Sequence, residues 1–425
     1  MIPSPRNNRQ AIILVIAIIV ASLLTVGALT WGNYQYALKN PGGNDFLVHW
    51  MGTRVLMVDG ISPYSDAAAL KIQTMAYGHP AQAGEHLLRV AYPLYSIVVF
   101  VPFALITDFT IARAVWMTFL EICLLGLAIS SMRLVRWKVS PLKLAILLLF
   151  SVLWFHGTRP IINGNVVILV AALIVAGLLA MKNDADELAG VLFAFATIKP
   201  QVVALFLVFI IFWSFYKRRW RLIAWLLGTL VILVISATIL IPSWILQNLR
   251  EIWIYPSYNP AGTPGAAFAA WYPGIGIRLG WMLTGILALL LMIEWTVSRR
   301  LEFRGFLWTA MLTLTVSQWI GIQTDPGNFI VLLPALFLVF SLLEERWRRI
   351  GRIFTYTSLI ILMLGLWFLF VKTLTYGYQP QQSPIMFFPL PAFVLFSLLW
   401  VRWWAVKPTK VWFEEIYKHD HPGLS

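Results

Sequence analysis

"AIILVIAIIVASLLTVGALT", residues 11–30, runs for twenty residues without a charged side chain. At 1.5 Å per residue, a helix of that length is about 30 Å long, the thickness of a bilayer's hydrocarbon core. The run follows Arg6 and Arg9, as the apolar part of a secretory leader would. It is too long for a leader and no small-x-small cleavage site follows, so it reads as a retained anchor. Comparable runs recur as far as residue 404, in a chain of 425 residues that is 60% hydrophobic and 12% charged. Such a composition cannot cover one water-soluble core with polar surface. In lipid only helices and closed barrels satisfy their own backbone groups, and these runs lack the two-residue alternation of a barrel strand. The fold class is therefore an all-α, polytopic membrane protein.

Working outward, the expected spans are 11–30, 110–131, 141–156, 166–181, 187–199, 200–216, 220–241, 276–297, 305–320, 328–343, 353–371 and 385–404. That makes about twelve crossings, an even number that leaves both termini on one side. The run 94–106 is short and holds Pro102, which suits an interfacial or re-entrant helix better than a crossing. A net charge of +14 would suggest nucleic acid in a soluble protein. Here the basic clusters, around Arg133, Lys217, Arg299 and Arg346, all fall between apolar runs. Placing them in the cytoplasm with both termini obeys the positive-inside rule, so no nucleic-acid partner is expected. The external side then receives 31–109, 157–165, the Lys199 turn, 242–275, 321–327 and 372–384. The single cysteine, Cys123, sits in an apolar run and rules out a disulfide framework. No separate soluble domain is visible, so 1–425 reads as a single membrane domain.

The loop 31–109 is far longer than a connection requires, and long loops in compact proteins are usually functional. Its "NDFLVHWMGTRVLMVDGISPY", residues 44–64, predicts a helix over 44–59. Asn44 or Asp45 would cap its start and Gly60 would end it. At 3.6 residues per turn Asp45, His49, Gly52, Leu56 and Asp59 share a face, and Arg54 points elsewhere. The apolar residues between them would hold the helix at the bilayer surface. On residue types alone, Asp45 serves equally well as a plain N-cap.

Four stretches in order, "DFLVHWMGTRVLMVDGISPY", "AYPLYSIVVFVPFAL", "RPIINGNVVILV" and "ELAGVLFAFATIKPQ", give the chain a resemblance to glycosyltransferase family 87. The similarity runs by motif over about residues 11–235 and beyond that by hydropathy. Two positions depart from the family pattern: Tyr92-Pro93-Leu94 where Tyr-Pro-Pro is usual, and Asn163-Gly164-Asn165 where Gly-Gln-x-Asn is usual. The resemblance implies a GT-C membrane enzyme, with a catalytic core over 1–241 carrying the external loop and a more variable 242–425. It implies a polyprenyl-phosphate sugar donor, with mannose or another hexose as the sugar, a lipid or glycan acceptor, and surrounding membrane lipids. It also implies an external site and an inverting reaction; no cofactor is expected, and the absence of a clustered set of acids argues against a metal site. A sugar on a lipid phosphate already has a good leaving group. What the protein must supply is a base for the acceptor hydroxyl and cations for the phosphate. The resemblance puts Asp45 in the place of the base and Lys199 in that of the family's Ile-Lys-Pro lysine.

Arg159 is a second candidate for the phosphate, although it would also suit a carboxylate or headgroup, and Lys199 a snorkelling position. Candidate substrate contacts are His49, Trp50, Arg54, Tyr64, Tyr92, Asn163, Asn165 and Asp325. Asn-Gly-Asn and Asp325-Pro-Gly are also ordinary turn formers, and aromatic residues are common interface anchors. Asp184-Ala185-Asp186 has the D-x-D form that binds metal and nucleotide sugar elsewhere, but it falls on the opposite side from Asp45. The rival reading is a transporter or flippase of a lipid-linked or anionic substrate. That would require two related halves, and the sequence offers no second copy of the Lys199-Pro200 break.

Overall fold

The computed structural model describes residues 5–258, 262–320, 325–376 and 380–406. The helices, in chain order, are α1 (Pro5–Lys39), α2 (Asn44–Asp59), α3 (Asp66–Tyr77), α4 (Ile97–Ala104), α5 (Phe109–Leu134), α6 (Pro141–Leu153), α7 (Phe155–Asn163), α8 (Val167–Lys182) and α9 (Asp186–Ala196). They continue with α10 (Pro200–Tyr216), α11 (Trp220–Leu240), α12 (Trp244–Tyr258), α13 (Pro264–Trp271), α14 (Gly276–Ser298), α15 (Phe303–Ser317), α16 (Leu333–Ile360), α17 (Leu366–Thr373) and α18 (Pro389–Val406). Among the described residues the sole strand pair is Thr375–Tyr376 with Pro380–Gln381.

Local chemistry sets the ends. Asp108 caps α5 by accepting from the Ile111 N–H at 2.8 Å, and Ser65 caps α3 by accepting from the Ala68 N–H at 3.1 Å. Pro200 opens α10 at a position where a missing N–H costs nothing. Among the described residues six helical segments are long and apolar enough to cross a membrane, and a seventh if the pair α6 and α7, bent by 50°, counts as one. The expected number of about twelve is reached only by also counting shorter helices such as α8, α9, α10 and α15. The expected spans 328–343 and 353–371 lie in the stretch Pro326–Thr373 as two helices, parted at Arg348, whose backbone (φ 43°, ψ −101°) is not helical.

Two expectations need correction. The stretch 157–165 is not an open external loop: α7 fills most of it, with His156, Gly157 and Ile161 buried. Nor does α2 rest its apolar residues on lipid. Phe46, Leu47, Val48, Trp50 and Val55 are buried in protein, and Phe46 stacks on Trp116 at 5.3 Å between ring centres. An aromatic cluster of Phe46, Phe100, Phe103, Phe109 and Trp116 fastens α2 to α4 and α5. Burying several such rings contributes several kcal/mol, on the order of 1.5–3 kcal/mol each. The short helix Leu94–Ala104 thus packs against α2 through Phe100 and Phe103.

Candidate active site

Asp45 enters on a glycine pair. Gly43 has φ 78°, and a Cβ there would lie 2.5 Å from the Arg113 Nε. Arg113 donates to the Asn40 carbonyl at 2.7 Å and to the Ile162 carbonyl at 3.1 Å, tying the ends of α1 and α7 to the start of α2. The capping position is Gly43, with no side-chain hydrogen bond, so neither Asn44 nor Asp45 caps the helix. The Asp45 carboxylate instead crosses to the α7–α8 turn.

There Asn165 Nδ2 donates to Asp45 Oδ2 at 2.9 Å, and Asn165 Oδ1 accepts from Lys199 Nζ at 2.7 Å and from the Val167 N–H at 3.0 Å. Asn165 is 4% exposed. Its three bonds fix which end of the amide faces the acid, because a flipped amide would set N–H against ammonium and oxygen against carboxylate. Gly164 makes the approach possible: its φ is 72°, and a Cβ there would overlap the Cβ of Phe46. Trp116 Nε1 donates to the Gly164 carbonyl at 2.9 Å and holds the turn in place.

Asp45, Asn165 and Lys199 line a cavity of about 380 Å³, together with His49, Tyr92, Arg159, Asn163 and Asp325. His49 stacks on Tyr92 at 4.0 Å, and Lys199 Nζ lies 5.3 Å from the centre of the Tyr92 ring. The Arg159 guanidinium rests over Phe370 at 5.1 Å and forms no ion pair among the described residues. Asp325, exposed, accepts from the Gly327 N–H at 2.6 Å. Burial pushes the Asp45 carboxyl above its ordinary range, opposed by the Lys199 charge and reinforced by Asp325. Burial also brings the Lys199 ammonium down to about 8, with Asp45 opposing the fall. His49 is lowered to about 3, by burial first and then by Lys199, and is therefore a neutral ring at pH 7. The Oδ1 of Asp45 has no protein partner among the described residues, and Lys199 keeps N–H groups beyond the one given to Asn165. An open carboxylate oxygen beside an ammonium can accept a proton and hold an anion in one cavity.

Three expected substrate contacts lie outside this cavity. Trp50 Nε1 donates to the carbonyls of Phe103 and Ile106 at 3.1 and 3.2 Å, and Arg54 donates to the Ala104 carbonyl at 2.8 Å. Both fix α2 to the end of α4. The Tyr64 hydroxyl donates to the Tyr92 carbonyl at 2.7 Å, which positions Tyr92 from behind. Elsewhere, the acids of the D-x-D stretch both pair with Arg219, Asp184 at 3.1 Å and Asp186 at 2.6 Å. No group of three or more His, Cys, Asp or Glu side chains that could hold a metal ion occurs among the described residues.

Sequence reasoning missed the cavity's outer wall. Arg89, His86, Ile252 and Tyr255 line it, the last two from α12. Arg89 grips the buried Glu251 of α12 at 2.7 and 2.9 Å and also reaches Asp66 at 2.7 Å. Asn248 donates to the Ala91 carbonyl at 2.9 Å and Gln247 accepts from Ser62 at 2.5 Å, so one polar face of α12 faces protein. Leu246, Leu249 and Trp253 face outward, at 73, 56 and 88% exposure. The signal was there: polar 247, 248 and 251 against apolar 246, 249 and 253, both at helical spacing.

A helical membrane bundle enclosing an acid, an amide and a lysine in one cavity defines a membrane protein with a built polar site. The family model of glycosyltransferase family 87 matches residues 91–318, more than half of the chain, and the chain belongs to that family. It is a membrane glycosyltransferase. The matched region includes Tyr92, Arg159, Asn163, Asn165 and Lys199, and it begins after Asp45 and ends before Asp325. No curated protein and no solved structure matches the chain at a significant level.

Proposed function

We propose that the protein is a GT-C enzyme that transfers a hexose, with mannose as the first choice, from a polyprenyl-phosphate donor to a hydroxyl of a lipid or glycan acceptor. The site would face the outside of the cell membrane, with both termini in the cytoplasm. Asp45 is the general base: its open oxygen takes the acceptor's proton as the acceptor oxygen attacks the anomeric carbon. The bond from that carbon to the phosphate oxygen breaks, and the electron pair leaves with the lipid phosphate. Attack opposite the phosphate inverts the anomeric centre. Lys199 and Arg159 hold the phosphate and stabilise the charge that develops on it. Tyr92, Asn163 and Asp325 are placed to meet sugar hydroxyls, and the neutral His49 supports Tyr92.

The observation that supports this reading is that one buried amide, Asn165, binds both the carboxylate of Asp45 and the ammonium of Lys199 in a shared cavity. The test is transfer from a labelled polyprenyl-phosphate mannose by purified protein. Asp45→Asn should lower kcat about 10²- to 10⁴-fold, the usual share of a general base. Equal activity would remove Asp45 as the base, and uptake of donor without transfer would favour a transporter.

A further inference from the structure

A second and larger cleft, of about 700 Å³, lies at the end of the bundle opposite Asp45. Helix α8 sets its depth. It starts beside Asn165 and ends at Lys182 on the cleft wall, sixteen residues and about 24 Å further on. That is close to the thickness of a hydrocarbon core, about 30 Å, so the cleft lies at the headgroup level of the leaflet opposite the catalytic cavity. Leu134, Leu307, Leu338 and Leu342 form its floor.

The charges around it do not cancel. Glu344 is paired with Lys143 and accepts from Trp137 Nε1, and Glu345 is gripped by Arg304 at 3.2 and 2.8 Å. Arg136, Lys138 and Lys182 then face the cleft against the single remaining carboxylate, Glu302. Lys182 donates to the Arg133 and Leu134 carbonyls at 3.1 and 2.9 Å, closing the end of α5. Arg136 is held in a left-handed turn (φ 57°) by the Trp137 N–H, which donates to the Met132 carbonyl at 2.9 Å. Neither Arg136 nor Lys138 has an ion-pair partner among the described residues. Uncompensated cations above an apolar floor, at headgroup depth, match a lipid anion better than a soluble one.

We propose that this cleft is a binding site for an anionic phospholipid of that opposite leaflet, with the phosphate on Arg136 and Lys138 and the upper acyl chain on Leu307, Leu338 and Leu342. The proposal does not depend on the transfer reaction and is read by binding. Full-length protein is titrated with phosphatidylglycerol and, separately, phosphatidylcholine, and bound lipid is counted by native mass spectrometry. Each cation removed should weaken phosphatidylglycerol binding about fivefold, so R136Q/K138Q should bind about 25-fold more weakly, with phosphatidylcholine unchanged. A photoactivatable phosphatidylglycerol should label 303–307 or 338–345 in the wild type and lose that labelling in the variant. Equal affinity of variant and wild type, labelling elsewhere, or equal competition by glycerol phosphate would overturn the site. The double variant's thermal midpoint in phosphatidylcholine should equal that of the wild type. If it is lowered, K138M alone, expected to bind about fivefold more weakly, decides the question.

Discussion

Asp45 and Asn165, 120 residues apart in the chain, are acceptor and donor of a 2.9 Å hydrogen bond whose amide is held at its other end by Lys199. The general base and the phosphate cation of the proposed reaction are therefore oriented by one side chain. Asn165→Ala should remove two charge-assisted bonds, of roughly 1.5–3 kcal/mol each, and leave both ions to reorient. Transfer should fall about 10²-fold, with both kcat and the donor KM affected. Assays at saturating donor separate the two, and a variant with wild-type kcat would show that Asn165 does not orient the base.

The pH dependence of kcat/KM should be bell-shaped. Asp45 must be ionised and its carboxyl is raised, so activity should climb with pH through a limb above the ordinary carboxylate range. Lys199 must be charged, and its fall to about 8 puts the descending limb there. The groups that bear on Asp45 are Lys199, Asp325, His86 and Arg159, so the acid limb belongs to the cluster. In Lys199→Arg the guanidinium stays charged and the alkaline limb should disappear. A descending limb that stays near 8 in this variant would assign it to another group.

Gly164 separates a backbone requirement from a side-chain one. Alanine there adds a left-handed penalty of roughly 1–2 kcal/mol to an overlap with Phe46 that must displace the turn. Gly164→Ala should cost about 3 kcal/mol or more of stability and most of the transfer activity. Gly126→Ala, in α5 with open space around it, should stay within about 1 kcal/mol of wild type. Thermal unfolding of the two variants side by side checks this, and equal midpoints would contradict it.

The outer wall of the cavity depends on Arg89 and Glu251. Glu251→Gln leaves a largely buried guanidinium with the exposed Asp66 as its one charged partner, beside the Tyr64 carbonyl, and should cost about 2–3 kcal/mol. The loss should be local, because α12 is held by few other contacts. Protease cleavage within 244–258 should speed up while unfolding of the remaining helices is little changed. Unaltered cleavage would show that Asn248 and Gln247 suffice to hold α12.

Hydropathy made the helical membrane fold legible, because lipid leaves a chain few alternatives. Asp45, Lys199, Asn163 and Asn165 were singled out by residue type and resemblance, and all of them line the cavity. What sequence could not supply was the covering of each face. A period of 3.6 turned Arg54 away from Asp45 correctly, yet it could not say that Trp50 and Arg54 would meet backbone carbonyls of α4 rather than substrate. Nor could it show that Asn165 would be occupied by two ions of the protein itself. The role of Arg113 was invisible for the same reason, since its partners are carbonyls at the ends of α1 and α7. Contacts between distant segments leave no periodic trace.

The bend between α6 and α7 governs how deep the chemistry lies. Straight, a helix from Pro141 to Asn163 would reach about 35 Å. With the 50° turn at Trp154, the nine residues of α7 advance only about 9 Å of their 14 Å along the axis of α6. The Asn163–Asn165 turn is thereby lowered by about 5 Å, close to one helical pitch. Straightening that elbow would lift the bridging amide a full turn toward the water and part it from the carboxylate below, so the altitude of the reacting centre is written into a hinge that touches no substrate.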